Sequence, residues 1–166
     1  MEHAVARGPL RARAPDDAFR EFYEREYANI AGYAYQLVRD EEVARDLAQE
    51  AFTRLLTRFV GVREPRPYLF LVVTNLARDR WKRAKRERET YALLAGEEHV
   101  VADDGGVADA VAKLPEPMRT IVRLYYFADL PVPEVAAAVK RPEGTVKRLL
   151  SEARAKLRDA LGDDRA

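Results

Sequence analysis

The stretch from Leu114 to Leu161 constrains this chain most. It reads LPEPMRTIVRLYYFADLPVPEVAAAVKRPEGTVKRLLSEARAKLRDAL, which has the form of a helix, a short connection, a short helix, a turn and a long basic helix. Met118, Ile121, Val122 and Tyr125 form one apolar face, and Val146, Leu149, Leu150, Ala153, Leu157 and Leu161 form another at helical spacing. With Val135 and Val139 between them, these faces can close a small core. The break at Lys140 to Pro142 gives the last two helices the spacing of a helix-turn-helix, which sets the first turn of its second helix in a DNA major groove. The polar side of that helix presents Lys147, Arg148, Ser151 and Arg154. Gly144 and Thr145 at its start allow close approach to a phosphate, and the helix N-terminus adds partial positive charge.

Helical periodicity extends through most of the remaining chain. Phe19, Phe22, Tyr23, Tyr27, Ile30, Tyr33 or Ala34, and Leu37 recur at steps of three and four, with Asp16 or Asp17 suited to cap that helix. Asp40 opens a second helix with Glu41 and Glu42 in its first turn and Val43, Leu47, Ala51 and Leu55 as its stripe. Pro65 and Pro67 break the chain, and a third helix follows with Leu69, Val72, Val73 and Leu76 inward, expected to fray near Tyr91. No segment alternates as a strand would. The expected fold is all-α, with two small helical domains at 16–94 and 110–161, an N-terminal arm at 1–15, an acidic flexible linker at 95–109 and a tail at 162–166.

The net charge of +1 conceals a segregated distribution. Arg78, Arg80, Lys82, Arg83, Lys85, Arg86 and Arg88 crowd one helix, whereas residues 95–109 carry Glu97, Glu98, Asp103, Asp104 and Asp109 and no Lys or Arg. Such blocks point to a polyanionic partner where the total charge does not. Cysteine is absent, which excludes disulfides, thiolate zinc sites and thiol catalysis and fits a reducing cytoplasm. His3 and His99 stand alone, without metal-ligand or triad spacing, so neither a metal, a cofactor nor an enzymatic reaction is expected. No run approaches the ~20 apolar residues of a membrane span, and the first residues do not form a secretory signal.

Two internal motifs carry chemistry. Asp46, Gln49, Glu50 and Thr53 fall on one face of the second helix, either a solvated surface or a docking face. In the third, Arg78, Lys82 and Lys85 form one stripe flanked by Arg83 and Arg86, so they can track a phosphate backbone. Phe59, Tyr68, Asn75 and Trp81 are suited to stack on or hydrogen-bond with unpaired bases; Tyr68 and Trp81 suit a core anchor equally well.

Taken in order, these segments resemble the extracytoplasmic-function (ECF) sigma factors of bacterial RNA polymerase, over about 17–161. DLAQEAF at Asp46 to Phe52 looks like the helix that docks on the clamp of the largest polymerase subunit. YLFLVVTNLARDRWKRAKRE looks like the promoter-melting helix, and the C-terminal motif looks like the −35 reader. The resemblance implies polymerase contacts from Asp46, Gln49, Glu50, Phe52 and Thr53. It implies −10 contacts from Phe59, Arg63, Tyr68, Asn75, Arg78, Trp81, Lys82, Arg83, Lys85 and Arg86. It implies −35 contacts from Arg119, Arg141, Glu143, Thr145, Lys147, Arg148, Ser151 and Arg154. The partners implied are core polymerase (clamp, and flap of the second-largest subunit), promoter DNA and an anti-sigma factor, in the cytoplasm. The loop from Gly61 to Pro67 is similar to the one that holds a flipped −10 base.

The chain departs from that pattern at four places. No glycine stands in the turn, so Lys140 or Arg141 must take an unusual backbone geometry or the turn is remade around Pro142. Pro131 replaces the usual serine cap, Thr-Val-Lys is followed by Arg148-Leu149, and Glu152 stands where a basic residue is common. An autonomous helix-turn-helix regulator would explain the C-terminus alone. A polymerase-binding decoy would explain the second helix alone.

Overall fold

A computed structural model of the protein describes residues 15–96 and 106–162. The described residues are helical, with no strand among them. The N-terminal unit comprises α1 (Pro15–Val38), α2 (Glu41–Leu56), a 3-10 turn (Phe59–Gly61) and α3 (Pro65–Ala95). The C-terminal unit comprises α4 (Val107–Ala112), α5 (Met118–Val122), which runs on into a π-helical segment (Arg123–Phe127), α6 (Val132–Val139) and α7 (Glu143–Gly162).

Local sequence accounts for most boundaries. Asp40 caps α2, its Oδ1 accepting from the Val43 N–H at 3.0 Å. Asp16 and Asp17 lie inside the first turn of α1 rather than ahead of it, so they act on its positive end as charges and not as the cap. Pro65 and Pro67 stand at the start of α3, where a missing N–H is harmless. This helix does not fray at Tyr91: it continues to Ala95 and ends at Gly96, whose φ of 69° is the left-handed geometry that closes a helix. The expected linker is shorter than drawn, because Val107 to Asp109 belong to α4; residues 97–105, with the other four acidic side chains, lie outside the described residues.

The helix-turn-helix is present, and the missing glycine has a measurable consequence. Lys140 itself takes the left-handed conformation, φ 53° and ψ 48°, and the Arg141 N–H returns to the Ala136 carbonyl at 3.1 Å. A side chain with a Cβ is disfavoured there. No side chain caps α6, which starts from Pro131 with Pro133 in its first turn.

The expected stripes are inward. Phe22, Ile30, Tyr33 and Ala34 of α1 meet Leu47, Ala51 and Leu55 of α2 and Leu69, Phe70 and Val73 of α3. Ile121 and Leu124 meet Val135 of α6 and Val146 and Leu150 of α7. The two units also pack on each other: α3 lies against α6 and against the π-helical segment. At that seam Arg66 of α3 donates from Nη1 to Glu134 of α6 at 2.6 Å, while its Nε sits 3.5 Å from the buried Glu26 of α1.

Candidate nucleic-acid and polymerase interfaces

Three surfaces collect the side chains singled out in the sequence. The first is the outer face of α2, where Asp46, Gln49, Glu50 and Thr53 are all exposed. Glu50 is paired with Arg54 at 2.7 Å, and the Thr53 hydroxyl donates to the Gln49 carbonyl at 2.9 Å. Tyr23 reaches from α1 toward Gln49 Oε1 at 3.4 Å. The face is thus polar, net acidic along Asp46 and Glu50, and held on a packed helix. Phe52 does not belong to it. Its side chain is 2% exposed, with ring centroids of Tyr23 at 4.7 Å and Tyr27 at 6.1 Å, so it is the core anchor beneath the face and not a contact on it. A phenylalanine one turn from a polar stripe gives no sign in sequence of which way it points once two aromatic helices surround it.

The second surface is α3 from Asn75 onward. Asn75 is half-buried, and every residue from Asp79 to Tyr91 is exposed, so the basic block projects from the bundle as a free helical rod. Lys82, Arg83, Lys85 and Arg86 all stand on it. Trp81 is 52% exposed, with the Lys85 Nζ 5.4 Å from its ring centroid. The core-anchor reading of Trp81 therefore fails: its ring is available to stack. Phe59 is the reverse case. Its ring packs 5.3 Å from Phe19 and 5.7 Å from Phe22, which fixes the loop after α2 and commits the ring to the protein rather than to a base. Tyr68 is half-buried and lines an open groove of about 1140 Å³ beside exposed Arg63, facing Ala137, Ala138 and Lys140 of the other unit. The loop expected to capture a base thus looks across the groove at the first motif helix.

The third surface is the start of α7 with the preceding turn. Arg141, Glu143, Lys147, Arg148, Ser151 and Arg154 are exposed and Thr145 is half-buried. Two of the cations are already engaged. Arg148 pairs with Glu152 one turn on, and Arg154 donates from Nε to the Tyr126 hydroxyl at 2.6 Å, a bond that raises the guanidinium's pKa. Since an exposed pair of this kind is worth under about 1 kcal/mol, Arg148 can exchange Glu152 for a phosphate or a base edge.

Arg78 and Arg119 lie elsewhere, in the seam. Arg119 donates from Nε to Glu116 at 3.0 Å and from Nη1 to the Ala112 carbonyl at 2.8 Å. Arg78 approaches the same carboxylate at 3.9 Å. Burial pushes the Glu116 carboxyl upward, but hydrogen bonds from Thr120 and Arg119 and the charges of Arg119 and Arg78 outweigh it and hold the pKa below its ordinary value. Sequence reasoning missed Arg66, Glu134, Arg123 and Tyr126. Arg66 and Glu134 pair across 68 residues and Tyr126 and Arg154 across 28, Arg123 joins the others only where the units meet, and no local pattern marks any of them.

The comparisons agree with this geometry. Residues 22–87 match the family described as Sigma-70 region 2, and residues 105–157 match Sigma-70, region 4. The chain is 30% identical over 173 residues to the ECF RNA polymerase sigma factor SigW of Bacillus subtilis, covering 91% of this chain and 92% of that protein. It is 33% identical over 135 residues to an RNA polymerase sigma-E factor of Streptomyces antibioticus, covering 75% and 74%. Among solved structures, CnrH in complex with the cytosolic domain of CnrY superposes with a TM-score of 0.61 at 24% identity over 90% of each chain. RpoE of Bartonella quintana, in complex with the anti-sigma factor NepR, superposes at 0.58 and 19% identity over 88% of this chain and 98% of that one. These two likenesses show a shared fold. The polar face on α2, the basic rod of α3 and the helix-turn-helix at α6–α7 fall inside the two matched regions in the order of the relatives, and the chain belongs to the ECF sigma factors, which direct promoter-specific initiation by RNA polymerase without catalytic chemistry of their own.

Proposed function

We propose a division of labour among the three surfaces. The α2 face, through Asp46, Gln49, Glu50 and Thr53, docks on the polymerase clamp. The exposed rod of α3 holds the −10 strands, with Lys82, Arg83, Lys85 and Arg86 on phosphates and Trp81 stacking on an unpaired base. Asn75 and Tyr68 line the path from that rod to the 61–67 loop. Arg141, Glu143, Thr145, Lys147, Arg148, Ser151 and Arg154 face the −35 element. The observation that carries the reading is the exposure of Trp81 in the middle of a projecting basic helix. A half-exposed indole costs a free protein apolar surface in water, and base stacking recovers about 1–3 kcal/mol.

Reaching both DNA elements requires the units to separate from the packed arrangement, because Arg78 and Arg119 are held in the seam and the loop faces α6. Core polymerase supplies that separation by binding each unit at its own site, which raises the effective concentration of the second DNA contact. The relatives named in complex with CnrY and NepR suggest an anti-sigma partner for this chain too, one that recognises the packed form. No helix among the described residues is long and apolar enough to cross a membrane, and the reading as a promoter-binding subunit supports a cytoplasmic site of action.

The test is open-complex formation with a fluorescent base analogue in the −10 element. Trp81→Ala is expected to fold normally, form the closed complex and open DNA at least about fivefold more slowly, from the loss of ~1 kcal/mol or more of stacking. Opening at the wild-type rate refutes the role given to α3.

A further inference from the structure

We infer that the seam between the two units contains a binding site for a phosphate-class oxyanion, built by Arg78, Arg119 and Arg123. The three guanidinium groups line one small cavity of about 70 Å³, with Trp81 and Ala112 also on its wall. Arg78 comes from α3, and Arg119 and Arg123 come from α5 and the π-helical segment that follows it. The site therefore exists only where the units meet.

The charges in this cavity are not balanced. Three guanidinium groups face two carboxylates, Glu116 and the exposed Asp79 beside Arg78, and Arg119 already takes Glu116 at 3.0 Å. Arg78 is a weaker second claimant at 3.9 Å. Its Nε is buried with no hydrogen-bond acceptor, and the nearby Asp79 carboxylate stands too far off at 3.6 Å. Arg123 is half-buried, and among the described residues no carboxylate lies within 4 Å of it. Burial, together with the like charges of Arg119 and Arg78, lowers its pKa, opposed by Tyr33 and Glu116. A guanidinium stays charged in a protein regardless, so the arrangement retains a surplus of positive charge in a partly dry space. A tetrahedral oxyanion satisfies the unpaired forks with short charge-assisted bonds, for which arginine geometry is suited.

Size narrows the ligand. A volume near 70 Å³ is several times the ~10–15 Å³ that one enclosed water needs, enough for one phosphate group. The ligand is thus inorganic phosphate, or a phosphate monoester whose remainder projects outward. A DNA backbone phosphate has the same chemistry, but the cavity is walled by both packed units, which favours the free anion. By bridging α3 to the α5 segment, the anion favours the packed form. It also occupies Arg78 and Arg119, so it opposes promoter engagement. That last consequence rests on the proposed DNA-binding roles; binding itself does not.

Trp81 is the sole tryptophan of the chain and lines the cavity, so its fluorescence reports occupancy directly. Inorganic phosphate is titrated into the full chain at constant ionic strength, balanced with sodium chloride. The expected result is a saturable change in Trp81 emission with a parallel rise in melting temperature. Arg123→Gln is expected to weaken the response about tenfold or more, the loss of one charged hydrogen-bond partner. Arg158→Gln, which removes an exposed charge from α7, leaves it unchanged. Ala112→Leu keeps every charge, fills the cavity and abolishes the response, which covers the case in which Arg123→Gln fails to fold. A linear, unsaturable response, or one equal in wild type and Ala112→Leu, overturns the site. A response to a short single-stranded oligonucleotide and none to phosphate overturns the free-anion assignment. Normal run-off transcription by a protein that ignores phosphate would sink this inference and leave the promoter-reading function standing.

Discussion

Tyr33 gives a prediction whose sign and size both follow from the structure. Its side chain is 2% exposed, and its hydroxyl lies 2.7 Å from Thr74 Oγ1. Thr74 spends its single hydroxyl proton on the Phe70 carbonyl at 2.7 Å, so Tyr33 is the donor in the pair. Burial pushes the phenol up to about 12 from 10.0, against a smaller opposing effect of the Arg123 charge. A raised folded-state pKa means that stability is fully present below pH 10 and is lost as pH rises toward 12. Between those values the unfolded chain gives up the proton and the folded chain keeps it. That difference is worth roughly 3 kcal/mol at most, lost gradually across the interval. Tyr33→Phe removes one buried hydrogen bond at a cost of ~1 kcal/mol near pH 8, and it removes the alkaline loss as well. The stability difference between wild type and variant, measured by urea unfolding, should start near 1 kcal/mol in favour of wild type. It should shrink above pH 10 and reverse sign before pH 12. Comparing the two proteins cancels every other group that titrates in this range. Parallel stability curves from pH 8 to 12 would refute the burial argument.

Replacing Lys140 by glycine relieves the left-handed backbone at the motif turn, offset in part by glycine's greater freedom when unfolded; a gain of ~0.5–1 kcal/mol in chemical denaturation is expected, and none for Lys140→Ala. Asp40→Ala removes the cap of α2 and should cost ~1 kcal/mol of stability in the same measurement. Asp46→Arg with Glu50→Arg places like charge against a basic clamp surface: co-migration with core polymerase should be lost while the circular dichroism spectrum stays native, and retained co-migration rejects the docking face.

The sequence by itself determined the helices, their inward stripes and the family. These are properties of neighbours along the chain: a 3.6-residue period, Asp40 ahead of an apolar run and prolines at a helix start; the choice of Lys140 over Arg141 or Pro142 for the strained turn came from the structure. The segregation of charge was equally plain. Tertiary structure decided what each ambiguous side chain does. Phe52 and Trp81 look alike in sequence, each an aromatic beside polar residues, yet Phe52 is enclosed by α1 and Trp81 is not, because α3 outruns the bundle that α1 and α2 can cover. Phe59 is drawn against the edge of the core because Phe19 and Phe22 reach it across the fold. The packing of the two units was likewise invisible. Arg66 and Glu134 are 68 residues apart, and nothing in either neighbourhood prefers the other; only the juxtaposition of α3 and α6 makes the pair. The cluster of Arg78, Arg119 and Arg123 arises in the same way. Periodicity fixes which face of a helix is apolar, but long-range contact fixes which charge meets which.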